Sequence, residues 1–243
     1  MRFIPKQGEP LALRNWRRDM NARAPQNLNY GSLPTDVKEE VKRALLMKQG
    51  YLCAYTMRRL NGLEDCHIEH IEPQNSAPGK DLDFANMAAC LPKNGGDVSA
   101  GYGAPIKAGR PVALNVDFVS PHAVGCDHRF QYNDSGLMQA ALGDAAAQKT
   151  TEILKLHHDG LVELRRSAVQ TYGLAVASRA TRTPRKLKSA SEARRFAAEV
   201  LQPDAQGQLE PFCVALAQVA LDYAMREDAR SQRLRQSHKG ERK

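Results

Sequence analysis

The chain has no apolar run long enough to span a bilayer, and residues 1–11 have no apolar stretch of the signal-peptide kind. Its five cysteines form an odd, scattered set without the spacing of a disulfide framework. These absences exclude a membrane span and a disulfide-stapled secreted scaffold. We therefore expect a cytoplasmic bacterial protein with reduced thiols and no membrane contact.

Acidic residues are also in deficit, with 27 Asp and Glu against 35 Lys and Arg, a formal net charge of +8. An excess of cations favours a partner that carries phosphates, because Lys and Arg replace condensed counterions on nucleic acid. The 243 residues are 42% apolar, enough to bury a core but few for two large domains. One compact unit with appendages is the expected organisation.

Hydrophobic spacing and turn residues predict an α+β protein. Over residues 34–50, Val37, Val41 and Leu45 recur at helical spacing, and Gly50 is placed to end the helix. A short strand or knuckle that turns at Asn61-Gly62 is predicted at 51–62, strands at 66–71 and 113–119, and a hairpin at 129–138 that turns at 133–136. A short helix or strand is predicted at 84–91, a basic linker at 180–188, and helices elsewhere after residue 138. The predicted regions are an N-terminal arm and helix (1–47), a central core (48–138), a mainly helical region (139–230) and a basic flexible tail (231–243).

The central core contains the one motif that indicates a chemistry. Residues 65–73 read DCHIEHIEP, and Asn86 follows His70 after a turn-rich loop. A carboxylate beside a histidine, then a proline-bearing loop, then an asparagine, is the order of parts in an HNH nuclease. Two non-catalytic interpretations are open: a Glu-His pair also arises by chance, and His67 with His70 could form one polar face of a helix. A zinc-peptidase helix is disfavoured because the two histidines of an HExxH motif are four positions apart, whereas His67 and His70 are three apart.

Phosphodiester hydrolysis needs a base that deprotonates water and a cation that stabilises charge on the phosphate. His70 is the candidate general base, since a free imidazole is largely neutral near pH 7. Glu69 and Asn86 are candidate ligands for Mg²⁺ or Mn²⁺, with His67 as a further candidate. Adjacent residues in a regular strand point to opposite faces, so Glu69 and His70 can converge only where the strand ends, near Pro73.

With these motifs the chain resembles the HNH nuclease subunits, called PtuB, of Septu-type and retron-associated anti-phage systems. The matching segments are residues 48–56 (KQGYLCAYT), the HIEHIEP core, 83–90 (DFANMAAC), 101–109 (GYGAPIKAG), 119–138, 150–156 and 161–166. The resemblance covers roughly residues 30–170. It implies a ββα-metal (HNH) nuclease core with a catalytic divalent metal and nuclease activity.

The chain departs from the family at a structural zinc site, where relatives have two pairs of cysteines. Only Cys53 and Cys90 are retained, and the other two ligand positions are held by Thr56 and by Ala100 or, in another alignment, Tyr102. Two thiolates do not complete a tetrahedral zinc site. We expect the zinc to be absent, replaced by apolar packing; the alternative is completion by other residues, such as Cys66, Cys126 or His128.

The resemblance also implies partners. Relatives work beside an ABC-type ATPase subunit, called PtuA, which would dock on the helical region after residue 138; retron RNA–DNA components are further candidates.

Predicted phosphate contacts are Arg58, Arg59, Lys93, Lys107 and Arg129. The residues leave DNA and tRNA equally open as substrates, since contacts to the backbone carry little sequence information.

Two alternatives to a nuclease stay open at this point. A degenerate HNH fold could bind nucleic acid or the ATPase without cutting, or the basic surface could serve only solubility. Binding without turnover in any divalent metal distinguishes the first, and absence of nucleic-acid affinity at low salt distinguishes the second.

Overall fold

A computed structural model describes residues 1–6, 8–94, 96–174, 187 and 189–240 and has a mixed α+β architecture. Its C-terminal region is mostly helical, as predicted. Within the described residues there are seven α-helices and two antiparallel strand pairs: α1 (Leu11–Arg23), α2 (Thr35–Gln49), β1 (His67–His70), β2 (Met87–Cys90), α3 (Ala104–Lys107), β3 (Phe130–Tyr132), β4 (Met138–Ala140), α4 (Ala145–Ile153), α5 (Asp159–Thr171), α6 (Ala190–Glu199) and α7 (Cys213–Gly240).

Helix α2 forms where its apolar spacing predicts it. Val37, Val41 and Leu45 are buried on one face, and the helix ends at Gly50, which has a left-handed backbone with φ of 60°. The Gly50 N–H donates to the carbonyls of the last turn. A Cβ at Gly50 would lie 2.5 Å from Leu209 Cδ1, so both the turn and the packing require glycine.

A tight turn after α2 packs against the β1–β2 hairpin. Within the turn, Met57 N–H donates to Cys53 O at 2.9 Å, and Ala54 N–H donates to Ala89 O of β2 at 3.1 Å. The buried Gln49 side chain donates to Ala89 O and accepts from Ala89 N–H, each at 2.8 Å. These bonds join α2, the turn and β2 into one unit that supports β1.

Strands β1 and β2 are antiparallel, with His67 opposite Cys90 and His70 opposite Met87. All four β2 residues are buried. The second pair, β3 and β4, forms the hairpin predicted around residues 133–136 and packs on α4 and α7. Helices α6 and α7 pack along each other. The helix that follows β2, α3, has only four residues.

Two local predictions in the central core are wrong. Residues 113–119 form a turn with a single Leu114–Phe118 bridge instead of a strand, because Ala113 O accepts from the backbone N–H groups of residues 116 and 117. The 51–62 segment turns at 53–57, not at Asn61-Gly62.

The predicted flexible tail from 231 is instead helical to Gly240, where good helix formers such as Arg and Gln continue α7. The predicted linker at 180–188 lies outside the described residues except for Leu187. No helix in the described part of the chain combines the length and apolarity needed to cross a membrane.

Candidate active site at the end of strand β1

Strand β1 presents the Glu-His pair to two different environments. Glu69 contacts His67, Tyr55 and Lys107, whereas the His70 side chain contacts the segment after β1 and the Tyr30 ring. This separation is the normal alternation of adjacent residues in a strand. Within the described residues the two side chains do not hydrogen-bond to each other. The motif therefore supplies a carboxylate on one face and an imidazole on the other.

The Glu69 carboxylate is held by a buried cation. Its Oε1 accepts a bond from Lys107 Nζ at 2.7 Å and a longer one from the Tyr55 hydroxyl at 3.4 Å. The Lys107 ammonium also donates to His70 O at 2.9 Å, and its side chain is fully buried. One lysine therefore binds both members of the Glu-His pair, the first through its side chain and the second through its backbone.

On the same face, His67 lies beside the other carboxylate oxygen. His67 Nε2 is 3.4 Å from Glu69 Oε2, and His67 Nδ1 is 2.5 Å from Pro92 O. Burial lowers the pKa of His67, but the hydrogen bonds to the Glu69 carboxylate and the Pro92 carbonyl outweigh it and leave the pKa above its ordinary value.

His70 has the environment of a neutral base. Its Nε2 lies 2.8 Å from Asp81 O, and because a carbonyl oxygen only accepts, Nε2 carries the proton and Nδ1 keeps its lone pair, which has the Gln74 side-chain nitrogen 3.4 Å away. Burial lowers the pKa of His70 below its ordinary value, against the opposing Asp81 hydrogen bond. The Tyr30 ring meets His70 edge-on at 4.7 Å between centroids. His70 is buried, and its ring is fixed in orientation by the Asp81 carbonyl and the Tyr30 ring.

Asn86 closes the loop that follows β1. Its Oδ1 accepts from Glu72 N–H at 2.8 Å, and its Nδ2 donates to Glu72 O at 2.9 Å and to Lys80 O at 3.2 Å. Both ends of the side-chain amide are therefore used by the loop backbone. These contacts give Asn86 the role of holding the loop beside His70, and its role as a metal ligand stays a prediction.

The Glu69 face offers few candidate ligands for the predicted divalent cation. No group of three or more His, Cys, Asp and Glu side chains that could share a metal is found in the described part of the chain. Glu69 Oε2 and His67 Nε2 are two candidate metal-ligand atoms 3.4 Å apart, and His67 must release the Nε2 proton that bonds to Glu69 before it can bind a metal. Mg²⁺ and Mn²⁺ sites often use one or two protein ligands, with water and substrate phosphate supplying the rest. Glu69 and His67 are thus the residues that could hold the metal.

The two retained cysteines do come together. Leu91 N–H, next to Cys90, donates to Cys53 Sγ at 3.4 Å, and both thiols are buried. Burial raises the pKa of Cys53, but hydrogen bonds from Cys90, Thr56 and Leu91 outweigh it and lower the pKa to about 5. Burial raises the pKa of Cys90 well above its ordinary value. Absence of zinc stays a prediction, which metal analysis of the purified protein would test.

The five predicted phosphate contacts separate into two groups. Arg58 and Lys93 line one cavity of about 470 Å³, where Arg58 Nη1 donates to the Tyr102 hydroxyl at 3.1 Å. Three acidic residues, Glu64, Asp65 and Asp97, line the same cavity. Its mixed charge makes it less favourable for phosphate than the two cations alone would indicate.

The other three cations are bound within the protein. Arg129 forms a two-bond ion pair with Asp144 at 2.6 and 2.7 Å, and Arg59 donates to the carbonyls of Gly50 and Leu209. The prediction that Lys107 contacts phosphate is wrong, because the side chain is fully buried against Glu69. Sequence reasoning missed this role because a lysine in a glycine-rich segment gives no local sign of burial.

No protein-family model matches the chain, and no curated protein matches it.

Proposed function

We propose that this chain is an HNH-type endonuclease subunit that hydrolyses phosphodiester bonds of DNA or tRNA, using Mg²⁺ or Mn²⁺. The observation that carries the proposal is the tautomer and orientation of the His70 imidazole at the end of β1. Its Nε2–H is held by a backbone carbonyl 2.8 Å away, which orients Nδ1 as a proton acceptor. The antiparallel β1–β2 pair and the short helix α3 are consistent with a reduced ββα unit.

The roles of the side chains follow from their contacts. His70 Nδ1 accepts a proton from the attacking water, while the Asp81 carbonyl holds the ring and stabilises the imidazolium that results. Asn86 fixes the loop between residues 72 and 80, which borders His70. A metal held by Glu69 and His67 would supply positive charge to the phosphate oxygens. Because the Glu69 and His70 side chains lie on different faces of β1, one phosphate can meet both only beyond the end of the strand at His70.

The proposed biological setting is anti-phage defence beside an ABC-type ATPase subunit, with retron RNA–DNA components as further partners. Support for this setting is the motif order over roughly residues 30–170 and the net charge of +8. The helical region from α4 to α7 is the proposed docking region for the ATPase.

The test is a cleavage assay on plasmid DNA and on tRNA, with Mg²⁺ or Mn²⁺, with and without the ATPase. His70→Ala should lower the cleavage rate by about 10²–10⁴, the usual contribution of a general base. His157→Ala is the matched control, because His157 is an exposed histidine outside the site. Cleavage that His70→Ala leaves unchanged would contradict the proposal.

A second candidate function is a nucleic-acid-binding or ATPase-binding module without catalysis. The Glu69–Lys107 ion pair favours it, since a carboxylate oxygen that binds an ammonium is less available to a metal. Binding of DNA or tRNA with no turnover in Mg²⁺ or Mn²⁺, even with the ATPase present, would support this second function over the first.

A further inference from the structure

Lys107 holds an unusual place for a lysine. Its side chain has no exposed surface, while Glu69 keeps 11% of its own exposed. The ammonium has two acceptors, Glu69 Oε1 at 2.7 Å and His70 O at 2.9 Å. A buried ammonium is stable only when its charge and its hydrogens are matched by acceptors. Lys107 is therefore an internal cation of the site rather than a surface charge.

The backbone around Lys107 is built to deliver this side chain to β1. Helix α3 begins after Gly103, whose φ is 83° and whose N–H donates to Leu154 O at 2.8 Å. A Cβ at Gly103 would lie 3.3 Å from Thr56 Cγ2, so the turn also passes close to the 53–57 turn. The helix ends at Lys107, and the residue after it, Ala108, has a φ of 46°. The bond from Gly103 to Leu154 therefore fixes the start of the short helix that carries Lys107.

We infer that Lys107 is a positioning residue that occupies Glu69 Oε1 and leaves only Oε2, beside His67, to a divalent metal. The inference rests on the proposed metal site at Glu69 and His67. An ammonium on one carboxylate oxygen weakens metal binding to the other, because the two cations repel each other across a few ångströms of buried space. Lys107 thereby sets a low metal affinity while holding the carboxylate in one orientation.

The experiment measures Mn²⁺ binding to the full chain by titration calorimetry and by the loss of the free Mn²⁺ EPR signal. Lys107→Met removes the charge and keeps much of the side-chain volume. The expected result is Mn²⁺ binding at least about tenfold tighter than in the wild type. Lys149→Met is the matched control: Lys149 is an exposed lysine in α4, and its loss changes the net charge equally, so Mn²⁺ affinity should stay as in the wild type.

Lys107→Gln keeps the inference testable if Lys107→Met is poorly folded, because its amide is neutral and can still donate to Glu69 and to His70 O. The double variant Lys107→Met/Glu69→Gln removes both charges of the pair and the proposed carboxylate ligand. The double variant should fold and lose the tightened Mn²⁺ binding, and Mn²⁺ should raise the melting temperature of Lys107→Met more than that of the wild type. Mn²⁺ affinity that is unchanged or weaker in Lys107→Met, or no extra thermal shift, would overturn the inference alone. If neither the wild type nor Lys107→Met binds Mn²⁺, the proposed metal site is overturned together with this inference.

Discussion

Removal of the Asn86 side chain tests whether this residue holds the loop beside His70. Asn86→Ala deletes three hydrogen bonds, one accepted from Glu72 N–H and two donated to Glu72 O and Lys80 O. A neutral hydrogen bond contributes about 1 kcal/mol net to stability. Water can replace part of the bonding at Lys80, which is exposed, so we expect a loss of about 2 kcal/mol in the free energy of unfolding.

Asn86→Asp gives a sharper test because it keeps the size of the side chain and reverses the chemistry at one end. The carboxylate can still accept from Glu72 N–H, but its second oxygen faces two carbonyl oxygens that need a donor. Asn86 is also buried, with 5% of its surface exposed, so a carboxylate at this position loses its hydration and costs stability. Asn86→Asp should therefore destabilise the fold at least as much as Asn86→Ala.

Urea denaturation monitored by circular dichroism measures the free energy of unfolding of both variants. The dependence of that free energy on urea concentration, the m-value, should equal that of the wild type. The expected loss in stability lowers the melting temperature by about 4–8 °C for a chain of this size. Asn21→Ala is the control, since Asn21 is an exposed residue of α1 and its replacement should change stability by less than about 0.5 kcal/mol. Wild-type stability in Asn86→Asp, or a loss below about 0.5 kcal/mol in Asn86→Ala, would refute the loop-holding role.

Two further predictions concern the scaffold around the site. Burial and the neighbouring Lys6 lower the pKa of His122 from 6.5 to about 4, so its stabilising contribution is complete above pH 6.5 and is lost as the pH falls toward 4, by up to about 3 kcal/mol. His122→Gln should flatten the stability of the protein across that pH range in urea titrations, and a slope identical to the wild type would contradict this. Gly50→Ala should lower the free energy of unfolding by more than about 1 kcal/mol, because φ is 60° and the new Cβ meets Leu209 at 2.5 Å. Gly62→Ala is the control because its Cβ would meet nothing within 4 Å, and equal stability of the two variants would contradict the packing argument.

Several elements were predictable because their signals are local. The apolar spacing of Val37, Val41 and Leu45 and the glycine after them predict α2 nearly to the residue, and the observed helix is Thr35–Gln49. The strand predicted at 66–71 appears as His67–His70. The order of the Glu-His pair and Asn86 was also visible in the chain. Such patterns do not show which distant residues a polar side chain will contact.

The site itself shows this difference. Lys107 meets Glu69 across 38 positions of chain, and its surroundings are glycine-rich and polar, which predicts an exposed loop. Asn86 uses both ends of its amide within the loop it closes, a choice between loop support and metal binding that its residue type leaves open. Cys53 and Cys90 meet because Ala54 pairs with Ala89. Each of these contacts depends on how distant segments pack.

By itself, then, the sequence determined the α+β class, the helix and strand that lead into the site, and the residues that make a nuclease hypothesis specific. Periodicity, capping and turn chemistry act over a few residues, so they can be read from the chain directly. Only the tertiary structure decided that Glu69 is paired with a buried ammonium, that His70 presents Nδ1 on the other face, and that Asn86 supports the loop. Burial and charge pairing across distant segments have no local period, and they arise only when the chain has folded.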